Sequence, residues 1–359
     1  QVFVGAEMPP FCKIGGVATV MEDYKKMFDN DKDNRKVMVI PYYNGKIVCD
    51  KSGKPTGKVV VHTFPEGTKD KTGNDISGQP FYTGEDLTKN KISDVIKDGK
   101  YHILEKVGED DTMSFGLNQD EKIGLYRVKD TSHYMVFTEA TALMPKPYET
   151  AKLNGVGGYG SSVGGYSSNG GSSGFAWNGD PYAKFDKAVV ELLPKIQNTY
   201  SQDGKTQEST KFEPQTVICS DSQTAYIPHY MAISDKEYYN DMHPTYVAHN
   251  LGQGYCAETS YKNMYINLGA TKEDIEKIQN DEKYKEACLQ GNEEGYFKEL
   301  LKDAPVADAV GTVNAGMVPI HYTKEGYIPV LTTVSEDYAE ALTTNETISP
   351  GLYKDLKSM

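Results

Sequence analysis

The chain has 359 residues, a net charge of −13 at pH 7 and a pI near 5.1, and its Arg residues are only Arg35 and Arg127. An acidic chain without an Arg cluster argues against nucleic acid or an anionic membrane as the main partner. No apolar run approaches the roughly 20 residues that span a bilayer. The five cysteines are widely spaced and form no zinc-type pattern, which predicts a cytoplasmic protein with reduced thiols and no metal site.

The first predicted elements form a β-loop-α-β unit. A short apolar strand begins at Val2, the loop Lys13-Ile14-Gly15-Gly16 follows, and a helix is predicted from about Val17 to Phe28 before a buried strand over Lys36–Ile40. Glycines at such a turn let the backbone approach a ligand, and a helix N-terminus attracts anions. Lys13, Gly15 and Gly16 are therefore candidate phosphate ligands, with a plain tight turn as the alternative.

The region from about residue 43 to residue 175 has a different pattern. Short alternating segments lie between charged, turn-rich stretches, as expected for a β-rich hairpin insertion in an α/β domain. Within it, Asn154–Gly174 is rich in Gly, Ser and Tyr, a composition that predicts a flexible loop.

The second half alternates helices and strands, which predicts a doubly wound, Rossmann-like, mostly parallel sheet. The predicted elements are a helix from Tyr182, strands over Thr216–Cys219 and Thr245–Ala248, a helix over Thr271–Gln290 with a Thr271/Asp274 capping box, a strand over Val330–Val334, and a helix capped by Ser335. Ligands of such sheets bind beyond the carboxyl ends of the strands. There the sequence places Lys13, Asp221, His249 and Ser335.

Five segments resemble, in order, the glycogen synthase and starch synthase family. They are GAEMPPFCKIGGVATVMEDY, FAWNGDPYAKFDKAVVELL, PQTVICSDSQTAYIPHYM, HPTYVAHNLGQGY and YIPVLTTVSEDYAEALTTNETISPGL. The resemblance covers both ends of the chain and skips the predicted insertion. It implies a glycosyltransferase of the GT-B type, whose N-terminal domain binds the glucan acceptor and whose C-terminal domain holds most of the sugar nucleotide.

The resemblance also implies roles for particular residues. Lys13, Gly15 and Gly16 would face the diphosphate of ADP-glucose or UDP-glucose, with no further cofactor. His249 would donate a hydrogen bond to the reacting glucose, and Asp221, which remains from a His-Asp-Trp turn, would bind a sugar hydroxyl. The whole chain, 1–359, is expected to be a single N-terminal GT-B domain that a separate C-terminal domain would complete.

The sequence departs from the family pattern at several positions in the matched segments. The departures are Thr19 in place of an acidic residue, Pro181 in place of an Arg, Ser220 and Ser222 around Asp221, the shortened Gly252-Gln253-Gly254, and Asn314 in place of a Lys. Because glucosyl transfer needs positioned charge against the leaving diphosphate, these losses predict a chain that is incomplete or inactive alone.

Simpler interpretations stay open at this point. Asp221 would cap a helix that starts near Thr224, and His249 would be a hydrogen-bonded structural residue. At the level of function, the alternative is a non-catalytic binding or self-assembling scaffold built on the same fold. A different nucleotide-binding enzyme that uses only the first loop is a third hypothesis, without a recognisable base and nucleophile.

Overall fold

A computed structural model describes residues 1–29, 35–87, 89–147, 160–162, 165–167, 177–200, 207–251, 259–304, 308–309 and 312–359. The elements of the first part are β1 (Val2–Val4), α1 (Gly16–Asp29), β2 (Val37–Pro41), β3 (Lys46–Cys49), β4 (Pro55–Val60), β5 (His62–Thr63), β6 (Pro80–Tyr82), α2 (Ile92–Asp98), β7 (His102–Lys106), β8 (Asp111–Phe115), β9 (Asn118–Val128), β10 (His133–Thr138), α3 (Glu139–Ala142), β11 (Gly160–Ser162) and β12 (Gly165–Ser167).

The remaining elements are α4 (Pro181–Leu192), β13 (Asn198–Tyr200), β14 (Gln207–Lys211), β15 (Thr216–Ser220), α5 (Ile227–Ala232), β16 (His243–Ala248), α6 (Tyr261–Asn267), α7 (Lys272–Asn280), α8 (Glu282–Leu289), α9 (Glu293–Leu300), β17 (Asp308–Ala309), β18 (Thr312–Val313), α10 (Met317–Lys324), β19 (Val330–Thr333), α11 (Glu336–Thr344) and α12 (Tyr353–Ser358). Short 3-10 helices cover Leu193–Lys195, Ser222–Thr224 and Glu237–Tyr239.

The chain divides into two compact units. The first consists of Gln1–Asp111, Lys122–Ala151 and Leu192–Pro214, and the second of Thr112–Glu121, Lys152–Glu191 and Gln215–Met359. The expectation of one domain over the whole chain, with an insertion at about 43–175, stays a prediction.

The first unit begins with the predicted β-loop-α-β arrangement. β1 pairs parallel with β2 and β2 pairs parallel with β10, while α1 makes the crossover between β1 and β2. All residues of β1, β2 and β10 are buried, as expected of strands that are covered on both faces. The helix predicted over Val17–Phe28 and the strand predicted over Lys36–Ile40 are confirmed within one residue at each end.

The β-rich region continues this sheet from β10. β9, β7, β6 and β5 follow one another in antiparallel pairs, and β3 and β4 form a separate hairpin. Tyr42 links β5 and β6, because its hydroxyl donates to the Phe81 carbonyl and accepts from the His62 amide. The predicted Gly/Ser/Tyr loop, 154–174, lies outside the described residues except for β11 and β12, which pair with each other.

The second unit contains three neighbouring parallel strands, β15, β16 and β19. The helix predicted from Tyr182 is α4, and its apolar positions Phe185, Val189 and Leu192 are fully buried. Lys184 on the same helix is also buried and forms an ion pair of 2.8 Å with Glu121. The α/β class with a Rossmann-like, mostly parallel sheet is therefore confirmed.

The prediction of a single helix over Thr271–Gln290 is wrong. The predicted capping box of Thr271 and Asp274 is present, but the helix that it starts ends at Asn280. Asp281 has extended backbone angles, and its side chain accepts a hydrogen bond from the Lys283 amide, so it starts α8 as a new helix. Over the part of the chain that the structure describes, no helix has both the length and the apolar character needed to cross a membrane.

Candidate functional site

The Lys13–Gly16 loop lies on the surface of the first unit, where the chain enters α1. Its four residues are all exposed, and a side-chain carbon added to Gly16 would meet nothing within 4 Å. The first turn of α1 contains no acidic residue that would offset the positive end of the helix dipole. Lys13 and the first amides of α1 therefore offer positive charge and N–H donors to an anion from solution.

Two amides of this loop already have an anionic partner. The Ile14 and Gly15 amides donate to the same oxygen of Glu7, Oε2, at 2.5 and 2.8 Å. Glu7 is only 1% exposed, so its carboxylate reaches the loop from beneath. The predicted use of the Gly15 amide by a phosphate thus requires Glu7 to leave, whereas Gly16 belongs to α1 and lies outside this contact.

Glu7 is not among the predicted site residues, because its contact with the loop depends on a reversal of the chain. Met8 and Cys12 pair through both of their backbone amides, at 3.0 Å each, and this turn brings Glu7 back beside the loop. An acidic residue six positions before Lys13 was visible in the sequence. Its contact with the loop amides was not.

Asp221 follows β15 in a strained backbone conformation. Its φ of 67° and ψ of −179° lie in a region that only glycine adopts readily. For an aspartate, this backbone conformation costs about 1–3 kcal/mol of stability. Its amide donates to the Val247 carbonyl at 2.9 Å, and its side-chain Oδ1 accepts from the Asn250 amide at 3.1 Å. Because its side chain makes no capping bond to the 3-10 helix Ser222–Thr224, the capping interpretation is wrong.

His249 follows β16 directly, at the carboxyl end of the strand. Its Nε2 is buried and has no hydrogen-bond partner among the described residues. Burial lowers the pKa of this imidazole to about 4, so the ring is neutral at pH 7. Buried polar atoms are usually paired, and an unpaired one calls for an explanation. Among the described residues, Nε2 therefore gives no support to the simpler interpretation of a hydrogen-bonded structural histidine.

Tyr338 on α11 also contacts the segment that follows β16. Its hydroxyl accepts from the Leu251 amide at 2.9 Å and donates to Asn250 Oδ1 at 3.5 Å. Ser335 caps α11 as predicted, since its Oγ accepts from the Tyr338 amide at 3.1 Å. Tyr338 was not among the predicted site residues, although it is part of a segment that carries the family resemblance.

The predicted site residues belong to different units. Lys13, Gly15 and Gly16 are in the first unit, and Asp221 and His249 are in the second. Within the second unit, Asp221 and His249 stand at the carboxyl ends of neighbouring parallel strands, as the sequence predicts. The described residues contain no group of His, Cys, Asp and Glu side chains that could hold a metal ion.

A comparison with protein-family models matches residues 80–358 to the starch synthase catalytic domain. The chain belongs to this family. The starch synthase match includes Asp221, His249 and Tyr338 and begins after the Lys13–Gly16 loop. No curated protein matches the chain by sequence.

Among solved structures, the chain is similar to the catalytic domain of starch synthase IV from Arabidopsis thaliana bound to ADP and acarbose. The sequence identity is 16% and the TM-score is 0.50, over 99% of this chain and 49% of that one. The likeness confirms the GT-B glycosyltransferase fold. This starch synthase family chain spans about half the length of that solved chain.

Asn314 and Pro181, two of the positions at which the sequence departs from the family pattern, have structural roles here. The Asn314 side chain is buried, accepts from the Gly316 amide at 2.9 Å and donates to the Pro350 carbonyl at 3.2 Å. Pro181 is the first residue of α4, a position that suits proline because its missing N–H would be unpaired there. Ser222 is buried beside Asp221, whereas Thr19 is exposed on α1. Gly252-Gln253-Gly254 lies outside the described residues.

Proposed function

We propose that this chain is the glucan-acceptor lobe of a starch-synthase-type glucosyltransferase. In this proposal it takes part in retaining transfer of glucose from ADP-glucose or UDP-glucose to an α-glucan. The observation that carries the proposal is the buried Nε2 of His249 at the carboxyl end of β16, which has no hydrogen-bond partner in the part of the chain that the structure describes. Family membership and the ADP and acarbose bound by the solved starch synthase IV support it.

The diphosphate of the donor would bind at the exposed Lys13–Gly16 loop. The Lys13 ammonium supplies a positive charge, and the amides at the start of α1 supply donors that point along the helix dipole. With Glu7 in place, Gly16 and the residues after it provide these donors, and the Gly15 amide contributes only when Glu7 is displaced.

The glucose would bind at His249. A neutral imidazole with its proton on Nε2 can donate a hydrogen bond to a sugar hydroxyl, and low solvent access strengthens that bond. Asp221 would act mainly on the backbone, because its Oδ1 already accepts from the Asn250 amide.

The isolated chain is proposed to be incomplete as a catalyst. Asn314 and Ser222 replace charged or aromatic family residues and pair or pack inside the protein. A C-terminal GT-B domain would supply the missing charge on the donor side. Cytoplasmic location and self-association stay predictions.

The direct test measures transfer of labelled glucose from ADP-glucose and from UDP-glucose to glycogen. The isolated chain should transfer none, yet it should bind ADP and be retained on amylose resin. A His249→Ala variant should keep ADP binding at the loop and lose the contact with glucose. Incorporation of label by the isolated chain would contradict the claim that it is incomplete, and absence of both ADP and glucan binding would contradict the function itself.

The second candidate function is a non-catalytic, self-assembling scaffold, and the occupation of the Ile14 and Gly15 amides by Glu7 favours it. A scaffold of this kind would elute as an oligomer in size-exclusion chromatography and would not be retained on amylose. Retention on amylose by a monomer excludes it.

A further inference from the structure

Two consecutive backbone amides after β16 are each held by a side chain from another element of the second unit. The Asn250 amide donates to Asp221 Oδ1 at 3.1 Å, and the Leu251 amide donates to the Tyr338 hydroxyl at 2.9 Å. These partners come from the end of β15 and from the first turn of α11. The segment directly after His249 is thus fixed from two sides.

The Tyr338 hydroxyl is itself held in place by the start of α11. Ser335 caps that helix through the Tyr338 amide, and β19, which precedes it, pairs in parallel with β16. The Thr333 hydroxyl donates to the Ala248 carbonyl at 2.6 Å, one residue before His249. Backbone positions on both sides of His249 are therefore tied to the β19–α11 segment.

His249 depends on this support because its own Nε2 makes no hydrogen bond among the described residues. Because no such bond fixes the ring, the backbone conformation at residues 249–251 contributes to the direction of the imidazole. A displacement of about 1 Å at a reacting group can reduce a rate by two orders of magnitude. A rigid backbone at this position is therefore relevant to any ligand of the ring.

We propose that Tyr338 is a positioning residue, which together with Asp221 clamps the backbone after His249 and so aims its imidazole at the sugar. The proposal rests on the proposed function of His249 and assigns to Tyr338 no contact with substrate. The proposal also accounts for the strained backbone of Asp221, because Oδ1 accepts from the Asn250 amide in that conformation.

The test compares Tyr338→Phe with Tyr353→Phe. Tyr353 is a matched control, because it is a helix-borne tyrosine of the same unit whose hydroxyl contacts only the exposed Lys357 among its described hydrogen bonds. In Tyr338→Phe the His249 imidazole resonances should move, and their titration midpoint should rise from about 4 towards the ordinary value as water enters. Loss of the hydroxyl, with its bonds to the Leu251 amide and to Asn250 Oδ1, should weaken ADP-glucose binding about three- to tenfold. Tyr353→Phe should match the wild type in all three.

A measurement on the wild-type chain keeps the proposal testable if Tyr338→Phe does not fold. Amide hydrogen exchange should show protection at Asn250 and Leu251, and rapid exchange at Leu251 would overturn the proposal. Unchanged imidazole resonances in a folded Tyr338→Phe variant would also overturn it. If the wild type does not bind ADP-glucose, the proposed function fails separately, and the imidazole resonances still decide the role of Tyr338.

Discussion

Replacement of Glu7 by Ala should tighten the binding of ADP to the Lys13–Gly16 loop. The Glu7 carboxylate accepts hydrogen bonds from the Ile14 and Gly15 amides at 2.5 and 2.8 Å, so it occupies donors that a diphosphate would use. It also places a buried negative charge under the anion site. Removal of the side chain frees both amides and removes that charge.

The magnitude follows from these two hydrogen bonds. Each amide bond that a phosphate makes in place of water is worth about 0.5–1.5 kcal/mol, so two are worth about 1–3 kcal/mol. The entropy lost when the phosphate orders the freed loop again offsets part of this gain. We therefore expect ADP to bind about fivefold more tightly to Glu7→Ala and about twofold more tightly to Glu7→Gln, which keeps an acceptor oxygen.

Stability should move in the opposite direction from affinity. The loss of two charge-assisted bonds should lower the free energy of unfolding by about 1–3 kcal/mol, because Ile14 and Gly15 are exposed and water replaces part of the contact. Calorimetric titration with ADP and with pyrophosphate measures the first effect, and urea denaturation measures the second.

Glu22→Gln is the matched control. Glu22 lies on α1 and pairs with Lys26 at 3.1 Å, so its replacement removes the same charge without touching the loop amides. Weaker or unchanged ADP binding in both Glu7 variants would refute the reasoning. An equal gain in Glu22→Gln would show that the net charge, rather than the amides, sets the affinity.

Three further predictions concern the second unit. Asp221→Ala and Asp221→Gly both lose the bond to the Asn250 amide, but only glycine adopts the strained backbone conformation at no cost. In urea denaturation, Asp221→Ala should therefore be less stable than Asp221→Gly by about 1–2 kcal/mol. Equal stability of the two variants would argue against strain. Because burial lowers the pKa of His249 to about 4, its neutral form contributes stability that is fully present above the unfolded pKa near 6.5 and is lost as the pH falls towards 4. Wild type should therefore lose about 2 kcal/mol more than His249→Asn between pH 7.5 and pH 5, and parallel pH profiles would contradict this. Lys184→Met leaves the carboxylate of Glu121 buried without its ion-pair partner and should lower the free energy of unfolding by about 3–5 kcal/mol. The double variant Lys184→Met/Glu121→Met should recover most of this loss in the same assay.

Local signals in the sequence predicted much of the fold. The capping box at Thr271, the cap at Ser335 and the apolar spacing of α4 depend on residues three to four positions apart, and all three are confirmed. The break at Asp281 was missed because helix-forming residues continue through it. Only the capping bond of Asp281 with the Lys283 amide favours the start of a new helix.

The contacts that shape the site depend on residues distant in sequence. The Leu251 amide meets the Tyr338 hydroxyl 87 positions later, and the Asn250 amide meets Asp221 29 positions earlier. Neither contact can be predicted from local spacing in the sequence, because only the pairing of β15, β16 and β19 brings these residues together. The contact of Glu7 with the Ile14 and Gly15 amides spans only seven and eight positions, but the turn between Met8 and Cys12 decides which amides its carboxylate reaches.

The most direct test of the proposed diphosphate site is a titration with ADP followed on backbone amide resonances, in wild type, Lys13→Gln and Lys26→Gln. Lys26 is an exposed lysine on α1, paired with Glu22, and serves as the charge-matched control. We predict that ADP moves the resonances of Gly16 and Val17, that Lys13→Gln weakens binding about tenfold, and that Lys26→Gln binds as the wild type does. Equal affinity in Lys13→Gln and wild type, with unmoved Gly16 and Val17 resonances, would contradict the account.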